Sequence, residues 1–335
     1  MTKNIRALLI AIAFIATGTT TAFAISKKQR KPNFISTYTS RVYHSYHATG
    51  FVRQSRASMR FLETTPHVSF VAPKVKIPGS FSLRGEAGPV ENQGMCGSCW
   101  DFSLTTALRG TLMTHGHDPG RLSFNYLLNC DTQMQGCSGG DFSAAQMFVS
   151  PLGAPKYGSD GPYTEMQGQC IKEKPVASAI SYKLLGNDLG QFPNSPTPSF
   201  EDIAYVVGVL HQPVSVDVAA DNNWENYASG VYNDCSDNNV SDLNHMVVIE
   251  GYNCETSVDK NGNCVFNKMG NLPAGVGTWL IRNSWGTDWG DNGYITMKAT
   301  DSSTGARCDA VATDALFFQV MLISRQSDRF VFQRL

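Results

Sequence analysis

The chain has 335 residues, 42% hydrophobic and 16% charged, with a formal net charge of −1; this is a globular balance that excludes a disordered or coiled-coil chain. The length suits one large domain or two modest ones. Nine cysteines exceed what a reducing compartment usually holds, and the odd count leaves one thiol over.

In chain order, residues 1–24, "MTKNIRALLIAIAFIATGTTTAFA", read as a signal peptide. Lys3 and Arg6 precede an apolar run from Ala7 to Ala16 that is too short to span a bilayer, and Ala22-Phe23-Ala24 is the small-residue ending a signal peptidase reads. The protein is therefore expected to be exported (extracellular, periplasmic, or lysosome- or vacuole-like) and to keep no membrane span after cleavage. Residues 25–76 form a polar, basic arm with scattered aromatics and no long periodic core pattern. Its ten Lys/Arg against Glu63 alone give net +9, whereas the chain from Ile77 onward carries 15 basic and 27 acidic residues, net −12. Opposite charges make the acidic body the expected partner of the arm, with nucleic acid or a membrane as weaker candidates.

Two prolines and a glycine in "APKVKIPGSF" mark the start of the body at Ile77. Trp100, Leu104, Leu108 and Leu112 recur every four residues, predicting a helix from Cys99 to near Gly116. A Pro/Gly/Ser-rich connection, "GNDLGQFPNSPTPSF", precedes "SFEDIAYVVGVL", a helix opened by an S-x-x-D cap. Four strand-like runs follow: "PVSVDVAA", "HMVVIEGY", "GTWLIRNSW" and "GYITMK". The reading is an α+β chain with a helical lobe at about 90–184, a β-rich lobe at about 185–325, and the chemistry between them.

The stretch "NQGMCGSCWDFS" carries the chemistry. Its C-x-x-C could be half a zinc site, but no second suitably spaced pair accompanies it; a redox dithiol would follow a strand in a short βαβ unit, which is absent. A third reading remains, a nucleophilic cysteine at a helix start beside a structural one. There the unpaired N–H groups and the helix dipole favour a thiolate.

From Ile77 onward the chain resembles the papain/cathepsin family of cysteine peptidases. The resemblance rests on "PVENQGMCGSCWDFS", "LSFNYLLNCD", "GCSGG", "PYTEMQGQC", "QPVSVDVAA", "YASGVY", "LNHMVVIEGY" and "RNSWGTDWGDNGYITMK", in the family's order. It implies a two-lobe fold with a helical left lobe, an antiparallel β-barrel-like right lobe and a cleft between them. It also implies amide hydrolysis through a Cys99 acyl-enzyme, with His245 as acid and base, Asn283 orienting its ring, and Gln93 with the Cys99 N–H stabilising the oxyanion. Trp285 would shield the His–Asn bond, and Gly139, Gly140, Phe142, Asp217, Leu243, Asn244 and Thr313 would line the substrate groove. By the same correspondence Cys96 pairs with Cys137, Cys130 with Cys170, and Cys235 with Cys308. Cys254 and Cys264 flank an Asn261-Gly262 turn signal and would close a local loop, leaving Cys99 free. The resemblance implies peptide or protein substrates, no metal or organic cofactor, a monomer, and the arm as an intramolecular inhibitor. The spacing from "GCSGG" to Cys170 leaves no room for the cleft-blocking loop of the carboxydipeptidase branch, which implies endopeptidase action. A peptide-binding inactive homologue and a Cys–His acyltransferase are the alternatives.

Several positions depart from the family pattern. Asp101 replaces a small residue and would place negative charge near the thiolate. Asn283 lies 184 residues after Cys99, beyond the family spacing that His245 at 146 meets, because a loop carrying Cys254 and Cys264 intervenes. That loop is either a surface decoration or a wall of the cleft. Asp217 takes a normally apolar pocket position, so a basic side chain two residues before the scissile bond is one expectation; pairing with an internal Arg or Lys is the other. The arm has none of the long helical motif of the cathepsin L branch and is short, as in the cathepsin B branch.

Overall fold

A computed structural model describes residues 38–40, 47–52, 56–186, 197–326 and 329–334. The signal peptide, six of the ten basic residues of the arm (Lys27, Lys28, Arg30, Lys31, Arg41 and Arg53) and the middle of the Pro/Gly/Ser-rich connection lie outside them. Up to the connection, the elements are β1 (Tyr38–Ser40), α1 (Arg56–Thr64), β2 (His67–Val68), β3 (Ser80–Ser82), α2 (Cys99–Thr114), α3 (Tyr126–Cys130), β4 (Ala154–Pro155), β5 (Pro175–Ala177) and β6 (Ser181–Leu185). Beyond it come α4 (Phe200–Gly208), β7 (Val214–Val218), α5 (Asn222–Glu225), β8 (Tyr227–Tyr232), β9 (His245–Asn253), β10 (Thr278–Arg282) and β11 (Tyr294–Lys298). The last are β12 (Ala315–Gln319), β13 (Met321–Gln326) and β14 (Arg329–Arg334).

Helix α2 forms where the four-residue repeat places it, and Trp100, Leu104 and Leu108 are fully buried. It stops where His115 and Gly116 return their N–H groups to Leu112 and Met113, with Gly116 in the left-handed region that favours glycine. In α4, Ser199 and Asp202 form a reciprocal capping box, and Ile203, Val206 and Val207 pack with Val214, Val216 and Val218 of β7 in one apolar cluster.

The β-rich lobe is a ten-stranded sheet ordered β1-β8-β11-β10-β9-β7-β12-β6-β2, with β3 on β9. The two-lobe α+β expectation holds, with the sheet not a closed barrel: the path is open, and its two outer strands, β1 on β8 and β2 on β6, come from the arm.

The lobe boundaries also differ from the sequence reading. The cluster around α2 recruits Phe51, Phe61 and Leu62 from the arm, and Leu316, Phe318 and Val320 from β12 and the residue after it. The two lobes are joined at α2, where Ser103 Oγ lies 2.7 Å from Ser215 Oγ of β7 and donates to Val247 O of β9. This tie sets the first residue of α2, Cys99, against the start of β9, His245.

Disulfides join Cys96 to Cys137, Cys130 to Cys170, Cys235 to Cys308 and Cys254 to Cys264. Within the last loop Asp259 accepts the N–H groups of Asn261 and Asn263, forming the turn at Gly262. The loop rests on the N-terminal edge of the body, with Gly79 N–H donating to Gly262 O and Cys264 N–H to Ile77 O. It therefore decorates the surface at residues 77–79 and does not wall the cleft.

The arm holds a helix, α1, that the sequence reading did not anticipate. Phe61 and Leu62 bury one side of it, with Phe61 tilted against Tyr182. After β2, Ser69 Oγ and Phe70 N–H both donate to Asp202 Oδ1, Ala72 N–H donates to Glu201 Oε2, and Phe70 stacks on Tyr205 at 4.4 Å. Among the described residues the one ion pair between arm and body joins His47 and Glu225, and it exists only when the histidine is protonated. The described contacts between arm and body are thus apolar contacts and hydrogen bonds, several of them to the carboxylates of Asp202, Glu201 and Glu225; six of the ten basic residues on which the expected electrostatic clamp would rest lie outside the described residues.

Candidate active site

Cys99 is the one free cysteine, fully buried at the first turn of α2. Backbone hydrogen bonds at Met246, Gly50, Trp100 and Cys99 itself favour its thiolate, but burial outweighs them and pushes the thiol up to about 12. Cys96, three residues earlier, is tied to Cys137 and fixes the loop that leads into the helix.

His245 opens β9, and its Nε2 lies 2.8 Å from Asn283 Oδ1. Asn283 Oδ1 also accepts the Ser284 N–H at 2.7 Å, which identifies that atom as the oxygen and makes Nε2 the protonated ring nitrogen. Nδ1 is buried and has no hydrogen-bond partner among the described residues. Its lone pair is the one open for proton exchange, and Met246, the next residue, adjoins the Cys99 thiol. Burial pushes His245 down to about 4; the Asn283 hydrogen bond opposes this and His47 adds to it. Trp285 stacks on the imidazole at 4.8 Å and is itself buried. Asn283 follows β10, whose end is held by a buried pair: Arg282 Nε donates to Glu250 Oε1 at 2.6 Å, and its other nitrogens to Pro89 O and Gly88 O.

Gln93 is oriented at both ends of its amide. Oε1 accepts Ser284 Oγ–H, while Nε2 donates to Cys96 O at 3.0 Å and to Ala48 O at 2.9 Å. Trp285 Nε1 donates to the same Ala48 oxygen at 3.1 Å. The Ala48 carbonyl thus occupies the place where these donors would meet a carbonyl oxygen of a bound peptide.

The arm continues through the cleft. Gly50 and Phe51 N–H groups both donate to Asn244 O, Gly140 N–H donates to Gly50 O, and Val52 N–H donates to Gly140 O, a parallel pairing. Phe51 fills the apolar pocket that includes Phe142, Leu243 and Met246, edge-on to Phe142 at 5.8 Å. Two glycines allow this approach. A Cβ on Gly50 would lie 2.0 Å from Gly97 O, and one on Gly139, at φ +128°, would lie 2.4 Å from Val52 Cγ2.

The structure therefore brings Gly139, Gly140, Phe142, Leu243 and Trp285 to the cleft, and Asn244 through its backbone; the Asn244 side chain staples Ala220 instead. Thr313 turns its hydroxyl to Ala310 O, within a tight turn. Asp217 is fully buried and accepts the Asp314 N–H, and it is among the carboxylates that hold the charge of buried Arg307. Arg307 itself donates to the Pro198, Val311 and Ala312 carbonyls and acts on Asp217 through its charge, in line with the internal-partner alternative. The Asp101 carboxyl accepts Thr105 Oγ1–H and a hydrogen bond from the Leu128 backbone, and burial raises it well above the usual carboxylate range, which disfavours the negative charge expected beside the thiolate.

Sequence reasoning missed Met246, Ser284 and Glu225. Strand alternation puts Met246 on the opposite face from Val247, towards the helical lobe, and that signal was available. The Ser284 contact with Gln93 and the Glu225 contact with His47 join residues 191 and 178 positions apart and have no local signature.

A thiol at a helix start, a neutral imidazole oriented by a side-chain amide, and a groove between a helical and a β-rich lobe together define a thiol–imidazole hydrolase framework. The model of the papain family cysteine proteases matches residues 77–315, and the chain belongs to that family. Vignain of Phaseolus vulgaris is 34% identical over 257 residues, covering 74% of this chain and 63% of vignain, so the chain spans less than two thirds of that relative's length. Among solved structures, recombinant stem bromelain precursor matches with a TM-score of 0.63 and 26% identity over 85% of this chain and 84% of its own. The bromelain protease from Ananas comosus, in complex with the E64 inhibitor, matches with a TM-score of 0.55 and 28% identity over 73% of this chain and 100% of its own.

Proposed function

We propose that the protein is the exported zymogen of a cysteine endopeptidase, with Cys99 as nucleophile, His245 as acid and base, Asn283 orienting the imidazole and Gln93 donating to the oxyanion. In this reaction the Cys99 thiol gives its proton to His245 Nδ1 and its sulfur attacks the scissile carbonyl carbon; Nδ1 passes that proton to the leaving amine as the C–N bond breaks, and water, giving a proton to Nδ1, then hydrolyses the thioester to the acid and the free thiol. The Gln93 amide, already held by Ser284 and Cys96, needs no reorganisation as charge develops on the oxygen.

The observation that carries this reading is the arm lying in the groove with its Ala48 carbonyl on the Gln93 and Trp285 donors. A segment that satisfies substrate-binding groups while burying the thiol is an inhibitor. It also runs the wrong way for cleavage. The leaving amine of a substrate must lie beside His245, on the Trp285 side, whereas the arm puts its N-terminal residues there and passes Gly140 with its C-terminal ones. Covered, Cys99 and His245 are held neutral; uncovered, they lose the burial that disfavours the thiolate–imidazolium pair. The match to stem bromelain precursor covers 85% of the chain against 73% for bromelain, which supports assigning the arm as a pro-segment.

The test is an intact-mass time course with a thiol-reactive epoxide at about pH 4.5 and about pH 7.5, chosen to bracket the titration of histidine. One label on Cys99, faster in acid and absent in Cys99→Ser, together with peptide cleavage by the uncovered enzyme, is expected. An uncovered Cys99 that neither takes the label nor cleaves peptides would overturn the proposal.

A further inference from the structure

The cleft holds a charged group that the hydrolytic mechanism does not use. Glu225 ends α5 beside Trp285, and its Oε1 accepts the His47 N–H at 3.0 Å and lies 3.6 Å from His47 Nδ1. The His47 ring lies flat on Trp285, with centroids 4.7 Å apart and planes at 12°. Both walls are fixed. Trp289 meets Trp285 edge-on at 5.2 Å and donates its Nε1–H to Glu225 O at 2.9 Å. Among the described residues no Lys or Arg pairs with Glu225; its partner there is the arm's His47, which donates its backbone N–H and whose ring burial shifts towards the neutral form, and the Glu225 side chain is only 16% exposed. His47 and Trp285 also line a cavity of about 570 Å³ that carries the carboxylates of Glu165 and Asp288; the charge of Glu91 there is already matched by Arg121.

Position gives the pairing its meaning. Ala48 carries the carbonyl that sits on the Gln93 and Trp285 donors, and His47 is its immediate neighbour on the Trp285 side. In a substrate that side receives the residue released as the amine.

We propose that Glu225 and the indole face of Trp285 form a cation-selecting subsite for the residue immediately after the scissile bond, with Lys or Arg preferred there. The arm's His47 imitates that residue. A flat guanidinium suits the indole face, its fork suits the carboxylate, and partial burial spares the pair the screening that weakens exposed ion pairs. The inference rests on the proteolytic reading and extends it to the leaving-group side of the substrate.

The test uses the arm-free enzyme, with active sites titrated by the epoxide, and internally quenched peptides that differ only in the first residue after the cleaved bond: Arg, Lys, Gln or Glu. A control peptide moves the Lys several residues upstream, to separate the subsite from the overall negative charge of the body. Arg and Lys are expected to exceed Gln in kcat/KM by about tenfold. In Glu225→Gln the advantage should fall below about twofold, and in Glu225→Lys it should pass to the Glu peptide. Equal rates across the panel with a labelled Cys99, or a Lys advantage that survives in Glu225→Gln or follows the upstream Lys, would overturn the subsite and leave the proteolytic reading standing. No cleavage of any peptide and no label would remove both.

Discussion

Two stretches of the same arm, residues 47–52 and residues 65–72, are held to the body in different ways. The first lies on groups that substrate would use: the Gln93 amide, the Asn244 carbonyl, the Gly140 backbone and the pocket holding Phe51. When it leaves, a peptide can replace every contact. The second adds β2 to β6, inserts Phe70 between Tyr205 and Phe317, and shares Asp202 with the capping box of α4. Nothing in the proposed chemistry replaces those contacts, so its departure would leave an open sheet edge and a bare aromatic surface. On the proposed reading, the difference separates a plug from a strap within one continuous segment.

This comparison can be broken most forcefully at Gly50. Gly50→Val puts side-chain atoms where a single Cβ already overlaps Gly97 O, a backbone atom that cannot move aside. Overpacking of this kind costs about 2–3 kcal/mol, so epoxide labelling of Cys99 in the full chain is expected to rise roughly a hundredfold with little change in melting temperature. Unchanged labelling would show that the plug is not what covers the thiol.

Phe70→Ala is the converse. It removes the stack on Tyr205 and is expected to cost about 2 kcal/mol, lowering the melting temperature by a few degrees while the labelling rate of Cys99 holds. A variant that labels faster without losing stability would mean that the two stretches act as one.

Acid should produce a smaller effect on the plug. His245 is held down to about 4 while covered and returns towards its ordinary 6.5 when exposed, so between those values the uncovered state binds more protons. Lowering the pH through this window therefore favours uncovering, and labelling measured as fraction uncovered should rise on the order of tenfold by about pH 4.5. Salt near 1 M at neutral pH should change it by less than about twofold, because the described plug contacts are backbone and apolar apart from His47 on Glu225, where burial shifts the ring towards its neutral form. Salt acting as strongly as acid would return the clamp to electrostatics.

Much of this molecule was legible in the sequence, for identifiable reasons. Trp100, Leu104, Leu108 and Leu112 announce α2 because a helix repeats its face about every four residues, and Ser199 with Asp202 announces α4 because the cap is a local hydrogen-bond exchange. Helix α1 was missed because its burying residues, Phe61 and Leu62, are too few to set a period in a polar segment. Alternation assigns Asp217 a face but does not choose between its two alternatives, because the charge of buried Arg307 near it has no local signature.

By itself, then, the sequence determined most of the elements and the chemical identity of the thiol, imidazole and amide groups. Those follow from residue type and short-range spacing, which the chain carries locally. Only the tertiary structure decided that Asp101 is buried and bonded to Thr105, that His47 lies against Glu225 and Trp285, and that two stretches of one arm are held by different sets of contacts. These depend on burial and on contacts between residues tens to hundreds of positions apart, and burial shifts the state of a charged group by more than any neighbour in the sequence can.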